Sequence, residues 1–216
     1  MARPRTSGAN ALNVLTDDEL GSAAQRDRRK RILDATIALA SKGGFEAVQM
    51  RAVAEKADVA LGTLYRYFPS KIHLLVSGLA RELERGQERG NGAVPGDTAY
   101  DRLLFVLGRI TRAMQRDPNL TEAMTRAFMF ADATAAAEVD TVAKLIERMF
   151  ARALHADDPA DDAASEPSDE DRAIARVIGD VWLSNLVAWV TRRSSASDVA
   201  ERLELTVRLL LTHKAE

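Results

Sequence analysis

The sequence predicts an all-α protein. Apolar residues recur at i, i+3, i+4 and i+7 in segment after segment. Hydroxyl residues with an amide or carboxylate three positions on, the spacing of a capping box, stand before early segments. No stretch sustains the period-two alternation of a half-buried strand, and no repeat recurs at a period of 20–50 residues. Together these give about nine helices.

Taken in order, residues 1–21 read as a flexible extension, because the first fifteen are small, polar and rich in Arg, Pro, Gly and Asn. The first helix starts between 16 and 23, since Thr16 with Glu19 and Ser22 with Gln25 both have capping-box spacing. Ile32, Leu33, Ile37, Leu39 and Ala40 form its apolar face, Arg26, Arg28, Arg29, Lys30 and Arg31 lie on its early turns, and Gly43-Gly44 stops it. Met50, Val53, Ala54 and Ala57 share one face of a second helix over 50–57. After Asp58-Val59-Ala60 a third covers 61–68, closed by Pro69, because the residue before a proline avoids the helical region. Ser70 and His73 open a fourth that runs to about Arg89, where Gly90-Asn91-Gly92 marks a loop.

Beyond Pro95 the periodicity stays helical. One helix carries Leu103, Leu104, Val106, Leu107, Ile110 and Met114 and ends near Asp117-Pro118. The next carries Leu120, Met124, Ala127, Phe128 and Ala131, and a third Val139, Val142, Leu145, Ile146, Met149, Phe150 and Leu154. Residues 157–171 hold eight acids and no Lys or Arg, and read as a solvated, mobile loop. Two helices remain, over 174–190 and 199–211.

Composition narrows function. The chain has 216 residues, 46% hydrophobic and 29% charged, and no cysteine. That excludes a disulfide framework, a thiolate zinc site, an iron–sulfur cluster and a cysteine nucleophile. Ser184 and Asn185 break the apolar run between Trp182 and Trp189, so no membrane span is expected. The N-terminus lacks an apolar signal region, and the expected location is the cytoplasm. His73, His155 and His213 are far apart, and no His-Glu-x-x-His, Walker or Gly-x-Ser-x-Gly motif occurs. An enzyme is therefore a remote reading, with no catalytic residues, metal or cofactor expected. Net charge is −2, yet residues 1–90 hold 15 Lys and Arg against 11 acids, and the remainder 15 against 21. A basic front on an acidic body fits a polyanion at one end, or simply an uneven solvated surface.

Two short helices joined by three residues beside a basic helix spell a helix-turn-helix, in which the second helix enters the major groove. The same spacing also suits a helical hairpin within a bundle that acts as a protein-binding adaptor. On the DNA-binding reading, Leu64 and Phe68 face inward, while Gly62, Thr63, Arg66 and Tyr67 face outward. Gly62 admits close backbone approach, Thr63 and the tyrosine hydroxyls suit phosphate oxygens, and Arg66 can fork onto a guanine edge. Lys71, just past the helix, is a candidate phosphate contact.

Three stretches, Gly44-Phe45-Glu46-Ala47, Met50 through Ala57 and Gly62 through Lys71, together resemble the N-terminal region of TetR-family transcriptional repressors over roughly residues 25–80. The resemblance implies a homodimer on double-stranded operator DNA, with a DNA-binding domain over 22–72 and a ligand-binding and dimerisation domain over 73–216. It implies DNA contacts from Gln49, Arg51, Leu61, Gly62, Thr63, Tyr65, Arg66, Tyr67 and Lys71. Three positions depart from the family pattern. Asp58 stands at the usual turn glycine, and Ala60 at a capping serine, a change worth about 1 kcal/mol. Gln49 replaces a frequent Ser or Thr. The extension, the wording of the third helix and the acidic loop further resemble family members that repress sterol catabolism in actinobacteria. That likeness implies a sterol-derived acyl-coenzyme A as effector, in place of another hydrophobic ligand or drug.

Large adaptable side chains in the C-terminal helices, Met114, Met124, Phe128, Met129, Phe130, Met149, Phe150, Trp182 and Trp189, suit an apolar pocket as well as plain core. Leu104, Met124, Phe128, Phe150, Trp182, Asn185, Leu186 and Trp189 are the candidate lining. Asn185 shares a face with both tryptophans, and its amide needs a partner in the protein or the ligand. Ile174, Val177, Ile178 and Val181 with Val199, Leu203, Val207 and Leu210 suggest a four-helix dimer interface across a two-fold axis.

Overall fold

A computed structural model describes residues 22–89, 94–155 and 166–212. Among them the only regular elements are nine α-helices and one 3₁₀ turn. Helix α1 (Ala23–Ala47) is followed by α2 (Met50–Lys56), α3 (Leu61–Tyr67) and α4 (Lys71–Glu88). Then come α5 (Ala99–Arg116), α6 (Pro118–Met129), the 3₁₀ turn (Ala133–Ala135), α7 (Ala136–Leu154), α8 (Asp169–Val190) and α9 (Ala196–Thr212). The Thr16–Glu19 pair, the 90–92 loop and most of the acidic run lie outside the described residues.

Local chemistry sets the boundaries. Ser22 caps α1 in a full capping box, its Oγ accepting from the Gln25 amide while the Gln25 side chain accepts from the Ser22 amide. Gly43 and Gly44 interrupt the helical path, as expected, but one further turn follows before the chain leaves at Val48. Asp117 caps α6 ahead of Pro118, whose missing amide is not needed at a first helical position. Helix α8 begins five residues before 174. Asp169, Glu170 and Asp171, read from sequence as loop, form its first turn, where carboxylates oppose the positive end of the helix dipole. Asp171 is buried, closes a capping box with Ser168, and lies 3.7 Å from His155 at the end of α7.

Helices α1, α2 and α3 pack together at one end, and α5 to α9 form a bundle at the other. Helix α4 joins them without a break, packing on α1, α6 and α7. Helix α1 also lies along α6, so the two ends share a second seam. Helix α8 contains a window apolar and long enough to cross a membrane, with mean hydropathy 1.4. It packs on α6, α7 and α9 and starts with three acids, as a bundle helix does.

The seam between α1 and α6 depends on one glycine. Gly44 has φ +66 and ψ −159, a region open essentially to glycine alone. A Cβ there would stand 2.8 Å from Glu122 Oε2, which accepts from the Phe45 amide at 2.9 Å. Gly44→Ala should therefore destabilise the protein by about 1–3 kcal/mol, read as a lower midpoint in thermal or urea unfolding. An unchanged midpoint would mean that the turn has another path.

Candidate nucleic-acid interface and ligand cavity

The second and third helices are held by α1. The Arg31 guanidinium donates at 2.8 Å to the Ala57 carbonyl, one of the carbonyls that the end of α2 leaves without a helical partner. Asp58 takes the turn at φ 52, the left-handed conformation that its short polar side chain tolerates. Ala60 and Gln49 stand at the N-caps of α3 and α2, and neither helix has a side-chain cap, which the missing hydroxyl of Ala60 predicts for α3. The Arg29 guanidinium lies 5.2 Å from the centre of the Phe68 ring. Part of the basic run on α1 is thus structural.

On α3, Leu64, Tyr67 and Phe68 are all buried. The expectation that Tyr67 faces outward is overturned. It is three residues after Leu64 and one before Phe68, so the helical period places it on the inner face. Its hydroxyl is enclosed and has no hydrogen-bond partner. The outer face carries Gly62, Tyr65 and Arg66, all exposed, with Thr63 half-exposed beside them. A Cβ on Gly62 would meet nothing within 4 Å, so its backbone is open to close approach. Gln49 and Arg51 are exposed at the start of α2, whereas Leu61 is half-buried against the core.

Lys71 has a different neighbour from the one sequence suggests. Its Nζ lies 3.7 Å from the centre of the Phe45 ring, and Arg126 sits over the same ring at 4.4 Å. Desolvation, more than any neighbouring charge, holds the Lys71 pKa below the usual lysine value. Arg126 pairs with Glu46 at 2.9 Å, and Glu122 holds the Phe45 amide. This cluster ties the end of α1 and the start of α4 to α6. His73 adds a second tie: it is buried, its Nε2 donates to the Thr134 carbonyl at 3.0 Å, and its Nδ1 meets the Ser70 hydroxyl at 2.9 Å.

An apolar cavity of about 240 Å³ opens among α4, α5, α6, α7 and α8. Met124, Phe128, Trp182 and Leu186 line it, as does Met114. Trp189 lines a small adjoining cavity that shares Met114, Trp182 and Leu186 with the larger one. Three of the candidate lining residues lie on neither wall. Leu104 is half-buried against the core. Phe150 is fully buried, packed edge-on to Trp182 with ring centres 6.3 Å apart. Asn185 donates at 2.8 Å to the Val181 carbonyl, one helical turn back, so its amide has a partner within the protein. Met129 and Phe130 are exposed and line neither of these cavities. Sequence reasoning missed Leu79, Val142, Ile146 and Leu183. Helical period puts Val142 and Ile146 on an apolar face, but it does not separate cavity wall from solid core, and Leu79 and Leu183 stand outside the stripes it marks.

The proposed dimer stripe also changes. Ile178, Val199, Leu203 and Val207 are buried within the chain and cannot meet a partner. Val177 on α8 and Leu205 and Leu209 on α9 are the large apolar residues left exposed there.

Comparison with known proteins agrees with this architecture. Residues 32–77 match the family described as bacterial regulatory proteins, tetR family, and residues 96–210 match the tetracyclin repressor-like C-terminal domain. The chain is 66% identical over 210 residues to the HTH-type transcriptional repressor KstR of Rhodococcus jostii, covering 97% of this chain and 94% of that protein. A TetR transcriptional regulator from Rhodococcus sp. RHA1 superposes with a TM-score of 0.75 at 31% identity, over 88% of this chain and 98% of that one. The regulator FadR of Bacillus subtilis, solved in complex with stearoyl-CoA, shares the fold with a TM-score of 0.56 at 19% identity, over 84% and 96%. An outward-facing α3 beside α1, carried on a bundle with an apolar cavity, is thus the architecture of a known class, and the chain belongs to the TetR family of DNA-binding transcriptional repressors, regulators and not enzymes.

Proposed function

We propose that this protein represses transcription as a homodimer on a near-palindromic operator and is released by a sterol-derived acyl-coenzyme A. The observation that carries the reading is the path between the two sites. Helix α4 starts three residues after Phe68 and reaches Leu79 on the cavity wall. On this reading residues 22–72 bind DNA and 73–216 bind ligand and dimerise. Exposed Val177, Leu205 and Leu209 provide an apolar patch for a second copy. Two recognition helices then enter successive major grooves about 34 Å apart.

The extensive identity to KstR supports the sterol assignment, through the likeness to repressors of sterol catabolism drawn above. A relative of the same fold that holds a fatty acyl-coenzyme A supports the ligand class. A cavity of about 240 Å³ falls below the ~300–1,000 Å³ of pockets for drug-sized ligands. A four-ring acyl group must therefore displace the walls, and Met114 and Met124 are flexible enough to yield. Displacement is what couples binding to DNA release, since a ligand shifts an equilibrium only by its differential affinity for the two states.

Calorimetry of the acyl-coenzyme A with free and with operator-bound protein tests the switch. Linkage requires the ligand to lower operator affinity, and the operator to lower ligand affinity, by the same factor. Equal ligand affinities would reject the switch. Arg66→Ala tests the reading face. It should cost about 1–3 kcal/mol at one base position and relax preference there, measured by competition among single-base operator variants. An unaltered preference would remove Arg66 from base reading.

A further inference from the structure

The walls of the larger apolar cavity are unevenly buried. Leu79 of α4 and Met124 and Thr125 of α6 are closed off from solvent. On the other side Ala143 of α7 and Arg176 and Asp180 of α8 are exposed, and Ile146, Gly179 and Leu183 are half-buried. The mouth of the cavity therefore lies along the seam between α7 and α8. One ion pair crosses that seam, from Arg176 Nη1 to Glu147 Oε2 at 3.4 Å. The Arg176 side chain is 59% exposed, so this is a surface pair, worth too little to hold the seam shut. Exposed Val177 stands two positions before Gly179. At about 100° per residue it points to nearly the opposite side of α8, so the apolar patch for a second copy and the mouth lie on different sides of this helix.

Gly179 stands on the rim of this mouth, in the interior of α8. Glycine inside a helix weakens it relative to alanine, and the local geometry does not call for one. Helix α8 is unbroken there, and Gly179 is outside the left-handed region that Gly44 and Gly96 occupy. A Cβ on Gly179 would meet Ile146 Cγ2 at 3.4 Å, an ordinary contact, and nothing else within 4 Å beyond its own helix. At Gly44 the same test gives 2.8 Å. The empty protein therefore has room for an alanine at 179. A methyl there would fill the strip between α8 and Ile146, both walls of the cavity mouth. We infer that Gly179 is a specificity-determining position, whose missing side chain leaves clearance at the α7–α8 mouth for a fused-ring acyl group. The inference rests on the acyl-coenzyme A reading above.

The clearance matters to one class of ligand more than another. The cavity of about 240 Å³ is too small for a four-ring acyl group, so its walls must part. The seam closed by Ala143, Gly179 and one surface ion pair is the wall that parts most easily. A fused-ring body is wide and rigid and cannot bend around an added methyl. A straight acyl chain is narrow and turns about each carbon–carbon bond among its staggered rotamers. One methylene in an apolar pocket changes affinity by about 10–200-fold when the ligand cannot avoid it. Filling position 179 should therefore penalise the ring system and spare the chain.

Calorimetry without DNA tests this on Gly179→Ala. Gly86→Ala is the control, because Gly86 lies within α4, lines neither apolar cavity and has nothing within 4 Å of its Cβ position. The probes are a cholestenoyl-coenzyme A, stearoyl-coenzyme A and cholestenone, a fused-ring ketone without coenzyme A. Gly179→Ala should lose tenfold or more in affinity for the cholestenoyl thioester and change less than twofold for the stearoyl thioester, while Gly86→Ala changes neither. Both variants should melt at or above the unaltered protein, since alanine favours a helix. If the unaltered protein binds only the cholestenoyl thioester, a tenfold loss in Gly179→Ala and none in Gly86→Ala supports the role. Equal losses for both thioesters, no loss, or a lowered melting temperature of Gly179→Ala overturn it and leave the effector assignment standing. If neither thioester binds but cholestenone does, and Gly179→Ala weakens it tenfold, the role stands and the acyl-coenzyme A assignment falls. Binding of stearoyl-coenzyme A alone, or of none of the three, overturns both the role and the sterol assignment.

Discussion

Phe150→Ala should lower stability by about 3–5 kcal/mol, the largest single loss expected from this fold. The ring is fully buried and meets Trp182 edge-on, so truncation removes both the buried area and the aromatic contact, and leaves a void in a close-packed interior. For a chain of this length, that corresponds to a fall in melting temperature on the order of 10 °C. Phe150→Leu should recover much of it, because volume is largely restored. A Phe150→Ala protein that melts normally yet loses effector affinity would make Phe150 a ligand contact instead of core.

Leu64→Ala should cost about 2–5 kcal/mol, focused on the DNA-binding end. Leu64 is fully buried on a helix of only seven residues that has no side-chain N-cap. Isolated helices of that length are unstable, so α3 persists through packing alone. Without Leu64 the recognition helix should open locally, and operator affinity should fall far more than effector affinity. Hydrogen exchange of the α3 amides, with calorimetry of the effector, distinguishes this from global unfolding. Slow exchange in α3 with operator affinity lost would place Leu64 in contact with DNA.

The legible features were those coded within a few residues. Capping pairs and apolar periodicity placed the helices, and Asp58 at the left-handed turn position was readable as tolerable. The inner face of α3 was readable too, yet Tyr67 was misplaced because its phenol suits a phosphate contact as well as a core. Asp169 to Asp171 read as loop because a run of acids looks the same in solvent and in the first turn of a helix. Only the Ser168–Asp171 spacing marked the difference.

The chain's local order thus carried its all-α class, the helix-turn-helix, the basic first helix and the family likeness, since each depends on contacts between residues close in sequence. Long-range packing assigned the remaining roles. It seated Lys71 on Phe45 with Arg126, and turned Leu203 and Val207 inward while leaving Leu205 and Leu209 exposed. It also brought Arg26, Arg29 and Lys30 beside Arg81, some fifty positions away. Helical periodicity tells which residues share a face, but what that face meets is set by how helices distant in sequence come together.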